Sequence, residues 1–511
     1  MSPTAPSRLF WLGLLAVFWA FYGLAGRDAW KAEEAIALAP VLDWLAAGAS
    51  AWQAPAPLHV VASGLLAKAL QSWLSLQDGA RLASGVFSLV ALLFTGLAAR
   101  SLFGPGFAQA AVLAMLGTLG LMLRMHAQAP ETALLAVWSM LLAGVAGARN
   151  SLQLGGILIG LALAALTLGL RGLPDLAAGL AIVLLPLLSR DWRQPTYRRA
   201  LALGLWLTLL LVVAALVYLD AGGQLLGWLR WHGLSRFTLE ASSTRAYSEF
   251  LWFAWPLWPL ALATLWHEHR RLARATELHL PLLALLVSLF AALAPTWSRD
   301  GGLLPMLPAL ALLAAYALET LKRGAAQAFY WFGVVCFLFF VFAFWLYFVA
   351  LEWGVPAKLA AHVASLTPSY RPGSVATSGL VLALLATSLW LVAIPLFPRA
   401  KIRPVLVWAS GMVLAWILLI SLFRPWAEAG WAYRPLIADL SRHLPPGSCL
   451  KIETDPAMRI MLRYHLDPAQ DSACPWLLTT ENRSDDLDAP VWEGARPRYK
   501  QQRYRLYHCA P

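Results

Sequence analysis

The 511-residue chain is 60% hydrophobic and only 13% charged, against roughly 45–50% and about 25% for soluble domains, which excludes an ordinary soluble enzyme. Its 39 Lys and Arg against 27 Asp and Glu leave a formal charge of +12. With a mean hydropathy of +0.63, that excess is the positive-inside signature of a polytopic membrane protein and not a nucleic-acid patch, so the membrane is an expected partner and nucleic acid is not.

In chain order, Arg8 precedes a first apolar run over residues 9–25 that keeps Trp19, Phe21 and Tyr22 near its end. A cleaved signal peptide needs small residues there, so the run is predicted to be an uncleaved span. Residues 26–76 follow as an external loop. Within it Arg27-Asp28-Ala29-Trp30-Lys31-Ala32-Glu33-Glu34-Ala35 concentrates ionisable groups. Leu38, Val41, Leu42 and Leu45 then fall at helical spacing, as in a helix lying on the membrane surface. Such a helix holds Glu33 and Glu34 at lipid head-group height; the alternative is that these charges only solvate it.

Further spans are predicted at residues 82–99, 107–123, 132–148, 152–170, 174–188, 201–219, 250–266, 279–296, 303–321, 328–351, 376–397 and 405–423. This makes about thirteen, each near the roughly 20 residues that a bilayer requires. The stretch 58–76, with His59, Lys68, Gln71 and Ser72, is ambiguous on hydropathy. If it crossed, Arg100, Arg149 and the basic runs 190–199, 270–274, 322–323 and 399–403 would all move to the side opposite Arg8, against the positive-inside rule. It is therefore predicted to be interfacial or re-entrant. The N-terminus is then cytoplasmic and the tail external, which in a Gram-negative cell is the periplasm, with the chain in the bacterial inner membrane. Gly156 and Gly160 have the small-xxx-small spacing of close helix packing.

The domain boundary is expected at residue 424. Residues 1–424 form the transmembrane domain and 425–511 a small α/β domain, with strands expected at 451–454 and 476–479. An oxidising compartment permits one disulfide among Cys449, Cys474 and Cys509, of undetermined pairing, with three free thiols as the other reading. Cys336 lies in a span as an apolar filler. No internal repeat is visible, and the spans are almost clean of charge, both against a coupled transporter.

The order of several elements resembles the polyprenyl-phosphate-sugar-dependent glycosyltransferases of the GT-C class, most closely ArnT-like aminoarabinose lipid A transferases and protein O-mannosyltransferases. The elements are Glu33-Glu34-Ala35, Ala56-Pro57-Leu58, Gly79-Ala80-Arg81-Leu82-Ala83-Ser84 and Ala98-Ala99-Arg100-Ser101-Leu102-Phe103-Gly104. After these come Met125-His126-Ala127-Gln128-Ala129-Pro130-Glu131, Arg171-Gly172, Arg299-Asp300 and Leu304-Pro305-Met306-Leu307-Pro308. The resemblance implies an all-α GT-C bundle with external interfacial helices. It implies transfer of a sugar from an undecaprenyl-phosphate donor to lipid A, another envelope glycolipid or a protein, at the periplasmic face. A catalytically inactive scaffold and a lipid-linked-sugar transporter are the alternatives.

Two departures stand out. The family's loop acid is usually Asp-Glu followed by Ala-Arg-Tyr, whereas here Glu33-Glu34 precede Ala35-Ile36-Ala37. The family's Glu-Lys-Pro-Pro is replaced by Gln53-Ala54-Pro55-Ala56-Pro57, so the Lys implied to contact the lipid phosphate is missing. Glu33, then Glu34, are the candidate general bases for an acceptor hydroxyl. Arg27, Lys31, His59, His126, Glu131, Arg171, Arg236 and Arg299 are the candidate substrate and phosphate contacts, with Lys68 a further cation near in sequence. No metal site is assigned. His126 and Glu131 could contribute two ligands, so a divalent metal is left open as a cofactor.

Overall fold

The computed structural model describes residues 5–47, 52, 54, 56–170, 172–232, 244–291, 301–469, 474–482 and 489–509. Each of the thirteen apolar runs is largely helical. Among the described residues, five helices are long and apolar enough to cross a membrane: Leu76–Phe103, Pro195–Ala221, Arg323–Trp353, Thr377–Leu396 and Arg403–Trp431. In Pro195–Ala221 and Thr377–Leu396 only 17% and 11% of the apolar window is buried within the protein. So much exposed Leu, Val and Trp is tolerable against lipid but not against water. The chain is a multi-pass membrane protein.

Three boundaries differ from expectation. The run 107–123 is two helices, Phe107–Leu116 and Leu119–Met125, bent by 65°. The run 250–266 is divided between Thr244–Phe253 and Leu257–Glu268, with Pro256 at the break, where it lacks the N–H that a continuous ladder needs. The helix Arg403–Trp431 runs on through Pro425, past the boundary read at residue 424. The ambiguous stretch folds as Pro57–Ala69, 13 residues or about 20 Å, too short to cross a core of about 30 Å alone.

Contacts divide the chain into two compact units: residues 1–25, 40–337 and 390–414, and residues 26–39, 338–389 and 415–511. In the first, Gly156 and Gly160 let two helices meet at backbone distance. A Cβ on Gly160 would lie 2.9 Å from the Gly204 carbonyl oxygen and 2.8 Å from Leu207 Cβ, and one on Gly156 would lie 2.8 Å from the Ala200 oxygen. The predicted small-residue spacing therefore marks a real helix contact.

The second unit holds a four-stranded sheet of β1 (Leu450–Glu453), β2 (Trp476–Thr479), β3 (Trp492–Ala495) and β4 (Arg503–His508), in the order β1-β2-β4-β3. β1 and β2 are parallel and the other pairs antiparallel. The helix Pro456–His465 connects the parallel pair; Asp455 caps it by accepting from Met458 N, and Met458, Met461 and Leu462 form its buried face. A disulfide joins Cys449 to Cys474, just before β1 and β2, resolving the pairing that the sequence left open. Tyr433, Leu436, Leu440, Leu478, Trp492, Tyr504 and Leu506 build the core, together with Ala29 and Ala35 from the first loop.

Gly160→Val should lower the stability of the first unit by about 1–3 kcal/mol, because the added atoms meet backbone that cannot retreat. Thermal unfolding in detergent checks this; an unchanged midpoint would show that the two helices do not need this approach.

Candidate functional site

The first loop supplies the site in the second unit. Arg27 and Glu34, each 3% exposed, form a two-pronged ion pair: Nη2 donates to Oε1 at 2.7 Å and Nη1 to Oε2 at 3.0 Å. The fork matches the carboxylate plane, the geometry in which Arg binds most strongly. Arg27 also lies 4.6 Å from the centre of the Trp30 ring, and Trp30 N donates to Glu34 Oε2 at 3.2 Å. Both Glu34 oxygens are thus engaged within the fold. Its neighbour Glu33 faces solvent in the first turn of the helix Ala32–Ala47, as does Lys31 just before it. Adjacent residues on a helix are about 100° apart, so one can anchor while the other is presented.

Asp28, fully buried, ties the loop to residues more than 400 positions away. Its Oδ2 accepts from Tyr433 N at 2.9 Å and from Arg434 N at 2.7 Å, and its Oδ1 meets His465 Nε2 at 3.2 Å. The two amides open the helix Arg434–Ser441, so Asp28 caps it from a distant part of the chain. Burial pushes the Asp28 carboxyl up, but the bond and charge of His465 and the amides of Arg434 and Ala29 outweigh this, leaving it below its ordinary value of 3.8. Glu428 completes the anchor, accepting from Asp28 N at 3.0 Å and Trp30 Nε1 at 2.6 Å.

The first unit gathers another group of the sequence candidates. His59 is fully buried, with Nε2 3.4 Å from Ser84 Oγ and Nδ1 3.4 Å from Ser63 Oγ. Burial pushes its pKa down to about 3, so it is a neutral imidazole. Ser84 Oγ accepts from Ala129 N, and Gln128 Nε2 donates to Ser63 Oγ. Arg81, also buried, donates from Nη1 to Leu24 O at 2.7 Å and to Asp78 Oδ1 at 3.0 Å. His126 places Nδ1 2.9 Å from Met122 O and Nε2 2.8 Å from Trp19 O. Both ring nitrogens thus sit within hydrogen-bond distance of backbone carbonyls and are engaged within the fold. Glu131 is buried in the first turn of Glu131–Gly147. Among the described residues no three His, Cys, Asp or Glu side chains converge on a metal position.

The same unit carries an open cleft of about 650 Å³ lined mainly by apolar groups, including Trp44, Trp52, Leu58, Val61, Leu161 and Leu211. Arg171, Arg236 and Arg299, with Gln53, Pro55 and Asp300, lie outside the described residues. Sequence reasoning passed over Asp28, although it stands in the quoted loop segment, and it missed Glu428 and His465 because nothing local marks partners so remote.

This architecture is the GT-C glycosyltransferase fold. The chain is similar over its whole length to ArnT from Cupriavidus metallidurans. Against the crystal structure bound to undecaprenyl phosphate the TM-score is 0.66 at 17% identity, covering 99% of this chain and 100% of that one. Against the apo crystal structure it is 0.65 at 17% identity, covering 99% of each. Neither family models nor curated protein sequences give a match.

Asp28→Ala should cost the second unit about 2–4 kcal/mol, since it strands the buried Tyr433 amide, the part-buried Arg434 amide and the His465 ring. The folded Asp28 pKa is depressed, so its contribution is complete above the unfolded value. It is lost as the pH falls through the lower folded value. Denaturation of wild type and variant from pH 7 to 3 should therefore show two curves that converge at the acid end; parallel curves would contradict this role.

Proposed function

We propose that the chain is a membrane glycosyltransferase. It takes a sugar from an undecaprenyl-phosphate-linked donor and transfers it to an envelope acceptor, a glycolipid such as lipid A or a protein, at the periplasmic face. The observation that carries this reading is the division of labour in the first loop: Glu34 is held on both oxygens by Arg27 while Glu33 is presented to solvent beside Lys31, within a fold shared along its length with ArnT.

In this reading Glu33 takes the proton from an acceptor hydroxyl as that oxygen bonds to the anomeric carbon of the sugar. The bond from that carbon to the phosphate oxygen breaks, and its electron pair leaves with the polyprenyl phosphate. Lys31, a compact exposed cation on the same loop, meets the developing phosphate charge in place of the missing motif lysine. Arg27 is committed to Glu34, and His59 carries no charge. A base is needed for a hydroxyl but not for a phosphate acceptor, so the exposed carboxylate favours a hydroxyl.

Glu33→Gln should lower transfer by about 100-fold or more while leaving the protein folded. Mass spectrometry of envelope lipids and proteins from cells with wild type, a deletion or Glu33→Gln reads this as a sugar adduct missing from both mutants. An adduct that survives Glu33→Gln would remove Glu33 as the base; a deletion with an unchanged profile would contradict the transferase reading.

A further inference from the structure

The turn Pro497–Tyr499 and the residues after it face the end of the helix Ala357–Leu366 across a cleft of about 560 Å³ in the second unit. Its lining is polar, with Ser365, Arg498, Lys500, Gln501 and Gln502, and contains no acid. Arg498 is held in place: its guanidinium carbon lies 5.3 Å from the Trp426 ring centre and 5.4 Å from that of Trp431. Its stem packs where Gly430 lacks a side chain, since a Cβ there would sit 3.2 Å from Arg498 Cγ and 2.9 Å from Thr367 Oγ1. The Thr367 hydroxyl is buried without a hydrogen-bond partner among the described residues. Beneath the turn, Arg496 is sandwiched between Tyr433 and Tyr499 at 3.9 and 4.1 Å and donates to Trp431 O and Gln502 Oε1. The turn is therefore built and not merely draped. Among the described residues neither Arg498 nor Lys500 has a carboxylate within ion-pair distance, whereas the nearby Arg503 and Arg505 pair with Glu493.

An exposed guanidinium flanked by two tryptophan rings and an exposed ammonium, without acids and beside amide and hydroxyl groups, suit a phosphate carried on a polyhydroxylated body. A series of ring contacts links the cleft to the first loop. Trp431, which supports Arg498, is 5.9 Å from the Trp30 ring, and Trp30 stacks on Arg27 of the Arg27–Glu34 pair.

We propose that this cleft binds the phosphorylated sugar headgroup of the acceptor, with Arg498 and Lys500 on the phosphate and Gln501, Gln502 and Ser365 on sugar hydroxyls. The assignment rests on the transferase reading for the word acceptor, but binding can be read without turnover. Purified full-length protein in phosphatidylcholine nanodiscs is titrated calorimetrically with glucosamine 1-phosphate, glucosamine and inorganic phosphate. A phosphorylated glucosamine lipid placed in the nanodisc serves as competitor. The phosphosugar should bind at least tenfold tighter than either fragment and be displaced by the lipid. Arg498→Gln should weaken it by about tenfold or more, and Lys500→Glu, an exposed change that does not disturb the tryptophan cradle, by several-fold. If Arg498→Gln does not fold, Lys500→Glu alone decides. Unchanged affinity in the variants, or inorganic phosphate binding as tightly as the phosphosugar, would overturn the proposal. Binding in a protein that transfers no sugar would leave the cleft standing and remove the transferase reading; transfer without binding would do the reverse.

Discussion

The buried Arg27–Glu34 pair is the constraint on which the rest of the site depends. Removing two charges from water costs several kcal/mol for each ion, and a pair of this kind recovers that cost only with good geometry and further hydrogen bonds. Here both are present: two short bonds within the pair, the Trp30 amide on Glu34, and the Trp30 ring beside Arg27. Its value lies in fixing one conformation. Once Glu34 is committed, the direction of the helix Ala32–Ala47 is set, and Glu33 is left on the outer side of its first turn.

Asp28 extends the same principle. A carboxylate six residues before Glu34 supplies the first hydrogen bonds of the helix Arg434–Ser441 and meets His465 after β1. The loop and the small sheet thus share one core, with Ala29 and Ala35 packed among Tyr433, Leu436 and Met458. An element that reads as a membrane-surface loop is, within the second unit, part of the folded α/β structure. The His59, Ser63, Ser84 and Gln128 network does comparable work in the first unit, pinning Pro57–Ala69 to Leu76–Phe103 by neutral bonds where a charge would be costly.

Much of the fold was legible because the bilayer imposes a simple rule: long apolar runs become helices. The demotion of 58–76 rested on charge alone; the stretch holds a 13-residue helix, Pro57–Ala69. The strands β1 and β2 were visible as short apolar runs. β3 and β4 were not, although Tyr504 and Leu506 alternate with Arg503 and Arg505 as a half-buried strand requires. In the site, the sequence showed which residues cluster along the chain but not which are spent on structure. Glu33 and Glu34 are indistinguishable as letters; Arg27 separates them in space. Asp28 has no local signature as a cap, because the helix it caps begins 406 residues later at Arg434.

The central claim is that the Arg27–Glu34 pair fixes the loop and that the two charges act as one unit. The most direct measurement is a double-mutant cycle on unfolding stability, with Arg27→Met, Glu34→Leu and the two combined. Each single change should cost about 3–5 kcal/mol by stranding a buried charge, and the double change far less than their sum, leaving a coupling of at least about 2 kcal/mol. Additive costs would show that the two side chains contribute independently and would contradict the account.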